Sequence, residues 1–250
     1  MKSKAIVALL GLTLSAGAFA IPFVQNPTTP SVINNAPAGE ENLQTIANDL
    51  FGTGAINVNT GQSSAGMFAS TTPNYATSIP TLVAEYTANA GTQSFGIWFG
   101  TDTDNVITYD LFLGGATPHA AAGISINGDT LSVGNASGAC ATAINCGMFT
   151  NPLINANSFG FYFQASANAP KYFTLDQLNP GPRQDRVVSF ENGTSTNWLF
   201  AYEDGTDFDY NDMAVKVESI TPAVPEPETF ALMLAGFGAM GFLARRRRKS

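Results

Sequence analysis

Five carboxylates and one asparagine crowd the twelve-residue stretch Tyr202-Glu203-Asp204-Gly205-Thr206-Asp207-Phe208-Asp209-Tyr210-Asn211-Asp212-Met213. Asp207, Asp209 and Asn211 follow one another at i, i+2, i+4. In extended chain that spacing carries their oxygens to one side and sends Phe208 and Tyr210 to the other, toward a core. Asp204 and Asp212, with Glu203 beside them, complete an all-oxygen set of the size calcium prefers. Like charges this close repel, and a bound cation is the simplest relief. Magnesium suits the set less, because it gives up its water reluctantly. Counting from Asp207, Glu218 falls where an EF-hand closes its loop, but Asp212 stands where the turn glycine belongs, so no EF-hand is assigned. The alternative is an acidic loop whose Asp and Asn side chains cap turns or bond nearby amides.

Other reactive chemistry is sparse. The single histidine, His119, sits in a turn-like Gly-Gly-Ala-Thr-Pro-His run, which excludes a histidine-rich zinc centre or an HExxH site. No G-x-S-x-G elbow accompanies it, and no glycine-rich stretch carries a P-loop lysine or a dinucleotide fingerprint. Paired carboxylates remain the only acid–base candidates, and a carbohydrate-active hydrolase using Asp207 and Asp209 is the alternative to a non-catalytic protein. Asp102 and Asp104 read as residues of a turn between Phe99 and Val106. The aromatics interleave with apolar residues and read as core before sugar platform.

The ends of the chain set its compartment. Lys2 and Lys4 precede the apolar run Ala5–Leu14, and Ala18-Phe19-Ala20 supplies an A-x-A cleavage site. Residues 1–20 are therefore expected to be a secretory signal peptide. Between Ile21 and Val224 stand 17 of the 19 acids against four bases, Lys171, Arg183, Arg186 and Lys216, a balance of −13. Such a surface repels nucleic acid and anionic headgroups, and it suits solubility and cations. Cys140 and Cys146 are the only cysteines, and in an exported region they are expected to form a local disulfide.

The elements that must position the acidic cluster follow from periodicity. Residues 21–39, rich in Pro, Asn, Thr and Ala, read as a flexible lead-in. Leu43, Ile46, Ala47 and Leu50 recur at helical spacing, so Glu40–Phe51 is expected to be a short helix ended by Gly52 and Gly54. Period-two alternation then predicts strands at Thr81–Thr87, Ser94–Phe99, Val106–Leu113, Gly123–Ile126, Thr130–Val133, Phe159–Ala165, Arg186–Phe190, Asn197–Tyr202 and Met213–Ile220. Asn127-Gly128 signals a hairpin, and Gly134–Asn157 reads as a long loop held by the disulfide. The expected fold is mainly β, an antiparallel, jelly-roll-like β-sandwich over residues 40–221 with one short N-terminal helix.

Residues 222–250 are of a different kind. Pro225-Glu226-Pro227 fixes an extended backbone, the uncharged run Phe230–Ala244 follows, and Arg245, Arg246, Arg247, Arg248 and Lys249 close it. As a helix the run reaches roughly 22 Å, short of a ~30 Å hydrocarbon core, so a transmembrane span relies on Arg245 snorkelling. The basic cluster holds that end in the cytoplasm, leaving the rest outside. This order resembles the PEP-CTERM sorting signal of Gram-negative bacteria. The resemblance implies recognition by a membrane-embedded exosortase, removal of the tail near Pro-Glu-Pro, and release or onward attachment at the cell surface or in the extracellular matrix. The cluster at 202–213, with Phe159-Gly160-Phe161-Tyr162 and Leu178-Asn179-Pro180-Gly181 upstream, resembles the domain-of-unknown-function family 4114. That resemblance implies an extracellular β domain and no particular activity. The expectation is an exported, exosortase-sorted envelope or matrix protein with a structural or adhesive role, associated with exopolysaccharide or biofilm.

Overall fold

The computed structural model describes residues 23–26, 31–71, 76–84, 91–114, 116, 119–135, 140, 143–180, 186–193 and 196–223. The expected signal peptide, the Pro225-Glu226-Pro227 motif, the apolar run 230–244 and the basic cluster from Arg245 lie outside them. The described chain is mainly β, with antiparallel sheets and one α-helix, α1 (Leu43–Phe51). Its strands are β1 (Phe68–Ser70), β2 (Ala76–Ala84), β3 (Ser94–Asp102), β4 (Asn105–Phe112), β5 (Ala122–Asn127), β6 (Thr130–Asn135) and β7 (Gly147–Thr150). They continue with β8 (Gly160–Gln164), β9 (Lys171–Phe173), β10 (Val187–Glu191), β11 (Trp198–Tyr202), β12 (Met213–Glu218) and β13 (Ile220–Pro222).

Three sheets result. The largest runs β10-β11-β12-β2-β5-β6-β7, a second runs β4-β3-β8-β9, and β1 pairs with β13 alone. The β5–β6 hairpin turns through Gly128-Asp129, one residue beyond the expected Asn127-Gly128, because Asn127 pairs with Thr130 and Gly128 takes the positive φ, 58°, at the first loop position. Pro80 lies past the residues of β2 that pair with β5, so its missing N–H removes no ladder bond on that side.

The alternating apolar residues of the two larger sheets meet in one cluster. Phe95, Ile97 and Phe99 of β3 and Phe161 and Phe163 of β8 join Trp198, Phe200 and Tyr202 of β11 and Met213, Val215 and Val217 of β12. Phe68 of β1 lies edge-on to Trp198 and Phe200, with ring centroids 5.0 and 5.1 Å away. The other faces of these strands are covered as well. Val188, Phe190, Leu199, Ala201 and Ala214 pack with Leu43, Ile46 and Ala47 of α1, and Trp98 and Tyr162 pack with Met67, Leu175 and Ala223. Two glycines make the last arrangement possible. A Cβ on Gly96 would stand 2.4 Å from the Tyr162 ring, and one on Gly160 would stand 2.4 Å from the Trp98 indole nitrogen.

Several expectations are corrected. The helix begins at Leu43 rather than Glu40, since Asn42 keeps extended dihedrals (ψ 144°) and its side chain accepts a hydrogen bond from the Ala36 amide at 2.8 Å. The expected strand Met213–Ile220 is broken after Glu218, where Ser219 has φ 66° and the chain turns away to pair with β1 as β13. β7 lies inside the stretch expected to be loop, while β1, β9 and β13 are only three residues long and carry no readable alternation. Strand β2 starts five residues ahead of the expected Thr81, and residues 85–87 of that expectation lie outside the described ones. The described parts of the 21–39 lead-in are hydrogen-bonded to the domain. Asn26 Nδ2 donates to Thr174 O at 2.7 Å, its Oδ1 accepts from the Asp176 amide at 2.8 Å, and Ser31 and Gln62 exchange two bonds of 2.8 Å. A short polar side chain of a kind that suggests disorder by composition, Asn26, here satisfies backbone groups just after β9.

Candidate functional site

The acidic stretch is the loop between β11 and β12, and the pairing of Tyr202 with Met213 closes it at its base. Within it, one carboxylate oxygen from each of Glu203, Asp207 and Asp209 lies within 4.8 Å of the other two. Glu203 and Asp209 are buried and Asp207 is exposed, so the group opens to solvent on one side. Glu203 Oε1 accepts from the Gly205 amide at 2.6 Å, and Asp209 Oδ1 accepts from the Asn211 amide at 3.3 Å. Arg186, just ahead of β10, stands 4.0 Å from Glu203 Oε1 and donates to Gly205 O at 2.5 Å.

The backbone differs from the extended chain expected. Phe208 and Tyr210 have φ of 57° and 56°, left-handed values uncommon for aromatic residues. The i, i+2, i+4 spacing therefore does not act through strand geometry. Tyr210 is buried against the α1 side of the sheet, whereas Phe208 is half-buried, with the Arg186 guanidinium 5.2 Å from its ring centroid. Asp204 and Asp212, expected in the ligand set, stand apart from the three-carboxylate group and meet each other, Asp212 Oδ2 accepting from the Asp204 amide at 2.6 Å. Asn211 turns its amide nitrogen to Glu40 Oε2 at 3.3 Å and Glu41 O at 3.1 Å. Glu218 pairs with Lys216 at 2.5 Å on β12.

Burial sets the electrostatics. Desolvation raises Glu203 and Asp209 above the usual carboxylate range, against the amide bonds that Gly205 and Asn211 donate to them. Asp212 is pushed up to about 8, by desolvation first and by neighbouring acids after it. Two oxygens, Asp209 Oδ2 and Asn211 Oδ1, are buried without a hydrogen-bond partner. Sequence reasoning missed Glu40, Asn34 and Arg186. Asn34 donates its backbone N–H to Phe208 O at 2.8 Å and its side-chain amide to Asp207 O.

Elsewhere the polar groups serve the fold. Asp102 Oδ1 accepts from the amides of Asp104 and Asn105 in the β3–β4 turn, and the bonds from Asn105 hold its carboxyl below the ordinary value. Tyr162 donates to Asp110 Oδ1 at 2.5 Å, beside Lys171, whose ammonium donates to Thr108 at 2.7 Å and lies 4.4 Å from the Tyr162 ring centroid. His119 is exposed, with φ 73°. Cys140 and Cys146 are disulfide-bonded, their Cα atoms 6.2 Å apart.

The domain runs without a spacer into the tail. Ala223 is buried, its amide donates to Met67 O at 2.9 Å, and its carbonyl accepts from Gln25 Nε2 at 3.1 Å. Compared with known families, residues 223–248 match the PEP-CTERM protein-sorting motif. The tail carries this sorting motif. The chain is thereby an exported protein, anchored in the membrane before an exosortase-type enzyme processes it. The match covers the tail alone, and the resemblance of the acidic loop to family 4114 gains no support. No curated protein and no solved structure matches the chain. Among the described residues, no helix is long and apolar enough to cross a membrane.

Proposed function

We propose that this protein is a structural or adhesive component of the cell envelope or extracellular matrix, acting without catalysis and associated with exopolysaccharide or biofilm. The observation that carries the reading is the sorting motif at residues 223–248, which begins at Ala223, a buried residue of the described β domain. The domain fits an antiparallel β-sandwich of jelly-roll type, since the inner faces of its two larger sheets share one apolar cluster. The signal peptide at 1–20 delivers it, and the apolar run 230–244 with the arginines behind it holds it until the tail is cut.

The test is expression in a host with an exosortase and an exopolysaccharide. The surface-exposed form should end near Pro225–Pro227 by mass spectrometry and co-sediment with the polysaccharide without releasing sugars. Intact Arg245–Lys249 on that form would overturn the sorting reading. Sugar release abolished by Asp207→Asn or Asp209→Asn would replace the adhesive reading with the hydrolase one.

A further inference from the structure

We infer that Glu203, Asp207 and Asp209 hold one calcium ion, and that the ion fastens the N-terminal arm, residues 31–51, to the sheet. The inference stands apart from the adhesive role and survives if that role is wrong.

The first support is the group itself, three carboxylates from one loop whose oxygens converge within 4.8 Å. Converging acids are common without a metal, so the second support decides. Asp209 is 1% exposed, and its Oδ2 has no hydrogen-bond partner. A buried carboxylate oxygen left unpaired is costly, and it is rare in folded proteins. Asn211, also 1% exposed, has its Oδ1 in the same state two residues on. Among the described residues, the only ion pair to the group is Arg186 at 4.0 Å, a distance that leaves Glu203 loosely matched. A cation placed among the three carboxylates satisfies Asp209 and neutralises charge that one arginine does not.

The donor chemistry selects the ion. The three ligands are hard anionic oxygens, and among the described residues no histidine or cysteine joins the group, which favours calcium or magnesium over zinc or copper. Asp207 on the solvent side leaves room for water ligands, as calcium with its six to eight flexible positions accepts. Magnesium demands octahedral geometry and keeps its own waters, so it competes poorly.

The arm is tied to this same loop. Asn34 bonds the carbonyls of Asp207 and Phe208, and Asn211 bonds Glu40 and the carbonyl of Glu41, immediately before α1. Phe208 and Tyr210 hold left-handed backbone between those contacts. An ion that orders residues 203–209 therefore orders the acceptors on which the arm hangs. Without it, charge repulsion opens the loop, and the arm loses its anchors while the apolar contacts of α1 remain.

The experiment uses the full chain in mild detergent, stripped with a chelator and titrated with calcium alone or magnesium alone. Calorimetry should give one site with a Kd between about 10⁻⁴ and 10⁻³ M, the range of extracellular calcium modules. The melting temperature should rise by about 5 °C at about 5 mM calcium, and less with magnesium. Asp207→Asn, at an exposed position, should fold normally and weaken calcium binding about tenfold, the loss of one charged ligand. Calcium should slow amide exchange in residues 31–51 about tenfold in the native chain, and that variant should need about tenfold more calcium for the same slowing. No heat and no thermal shift overturns the site, as does calcium binding with native affinity in both Asp207→Asn and Asp209→Asn. Binding with unaltered exchange in residues 31–51 overturns the fastening and leaves the ion.

Discussion

At the scale of single residues, burial governs how this domain responds to pH. Glu203, Asp209 and Asp212 all titrate above the ordinary carboxylate range because the folded chain takes them out of water, Asp212 reaching about 8. A raised folded pKa means the native state keeps protons that the unfolded state has lost. The resulting stability is full below the unfolded value of about 4 and is lost as pH climbs through the folded ones. In chelator, the melting temperature should therefore fall by about 5 °C or more between pH 5 and pH 8. A melting temperature that climbs over that interval would refute the assignment. Tyr162 offers a second test. It lies over Gly96, and a Cβ there would meet both the ring and the backbone oxygen of Tyr109 at 2.4 Å. Gly96→Ala should destabilise by about 2 kcal/mol or more, by overpacking against an oxygen that cannot move. Tyr162→Phe should cost about 1–2 kcal/mol through the lost bond to Asp110, and denaturant unfolding measures both.

At the scale of elements, α1 is held by packing rather than by caps. Asn42 makes no capping bond, and the helix has no acid in its first turn and no base in its last. Leu43, Ile46 and Ala47, all buried, attach it to the outer face of β10, β11 and β12. Ile46→Ala should cost about 2–4 kcal/mol, and hydrogen exchange should show the loss concentrated in residues 43–51. This helix also marks what sequence could reveal. Its apolar spacing was legible, and so were strands such as β3, β8, β11 and β12, whose alternate aromatic and aliphatic residues face the main cluster. Its start was not legible, since the Glu41 carbonyl just ahead of it accepts from Asn211, 170 residues away. The acidic cluster was legible as a concentration of oxygens but not as a ligand set. Left-handed Phe208 and Tyr210 run against local preference, and of the expected carboxylates only Glu203, Asp207 and Asp209 converge, without Asp204 and Asp212. Three- and four-residue strands such as β1 and β7 take their identity from partners that no local pattern announces.

At the scale of the whole molecule, the described β domain reaches to the residue at which the sorting motif begins. Strand β13 pairs all three of its residues with β1, Ile220 is fully buried in the main cluster, and Ala223 is bonded to both Met67 and Gln25. The sorting motif begins at that same alanine. Processing at the proposed Pro225–Pro227 would leave in place every one of these contacts of β13 and Ala223. A secreted chain ending at Ala223 should melt within about 2 °C of the full chain, since only the tail is gone. A chain ending at Ser219 loses the β1–β13 pair and uncovers Phe68, which packs on Trp198 and Phe200. Removing Ile220 alone deletes a buried side chain worth about 2–5 kcal/mol, so that chain should melt about 10 °C lower or fail to be secreted folded. Equal melting temperatures for the two would mean that β13 belongs to the tail rather than to the domain. The sorting enzyme would then act on a strand already free of the sheet.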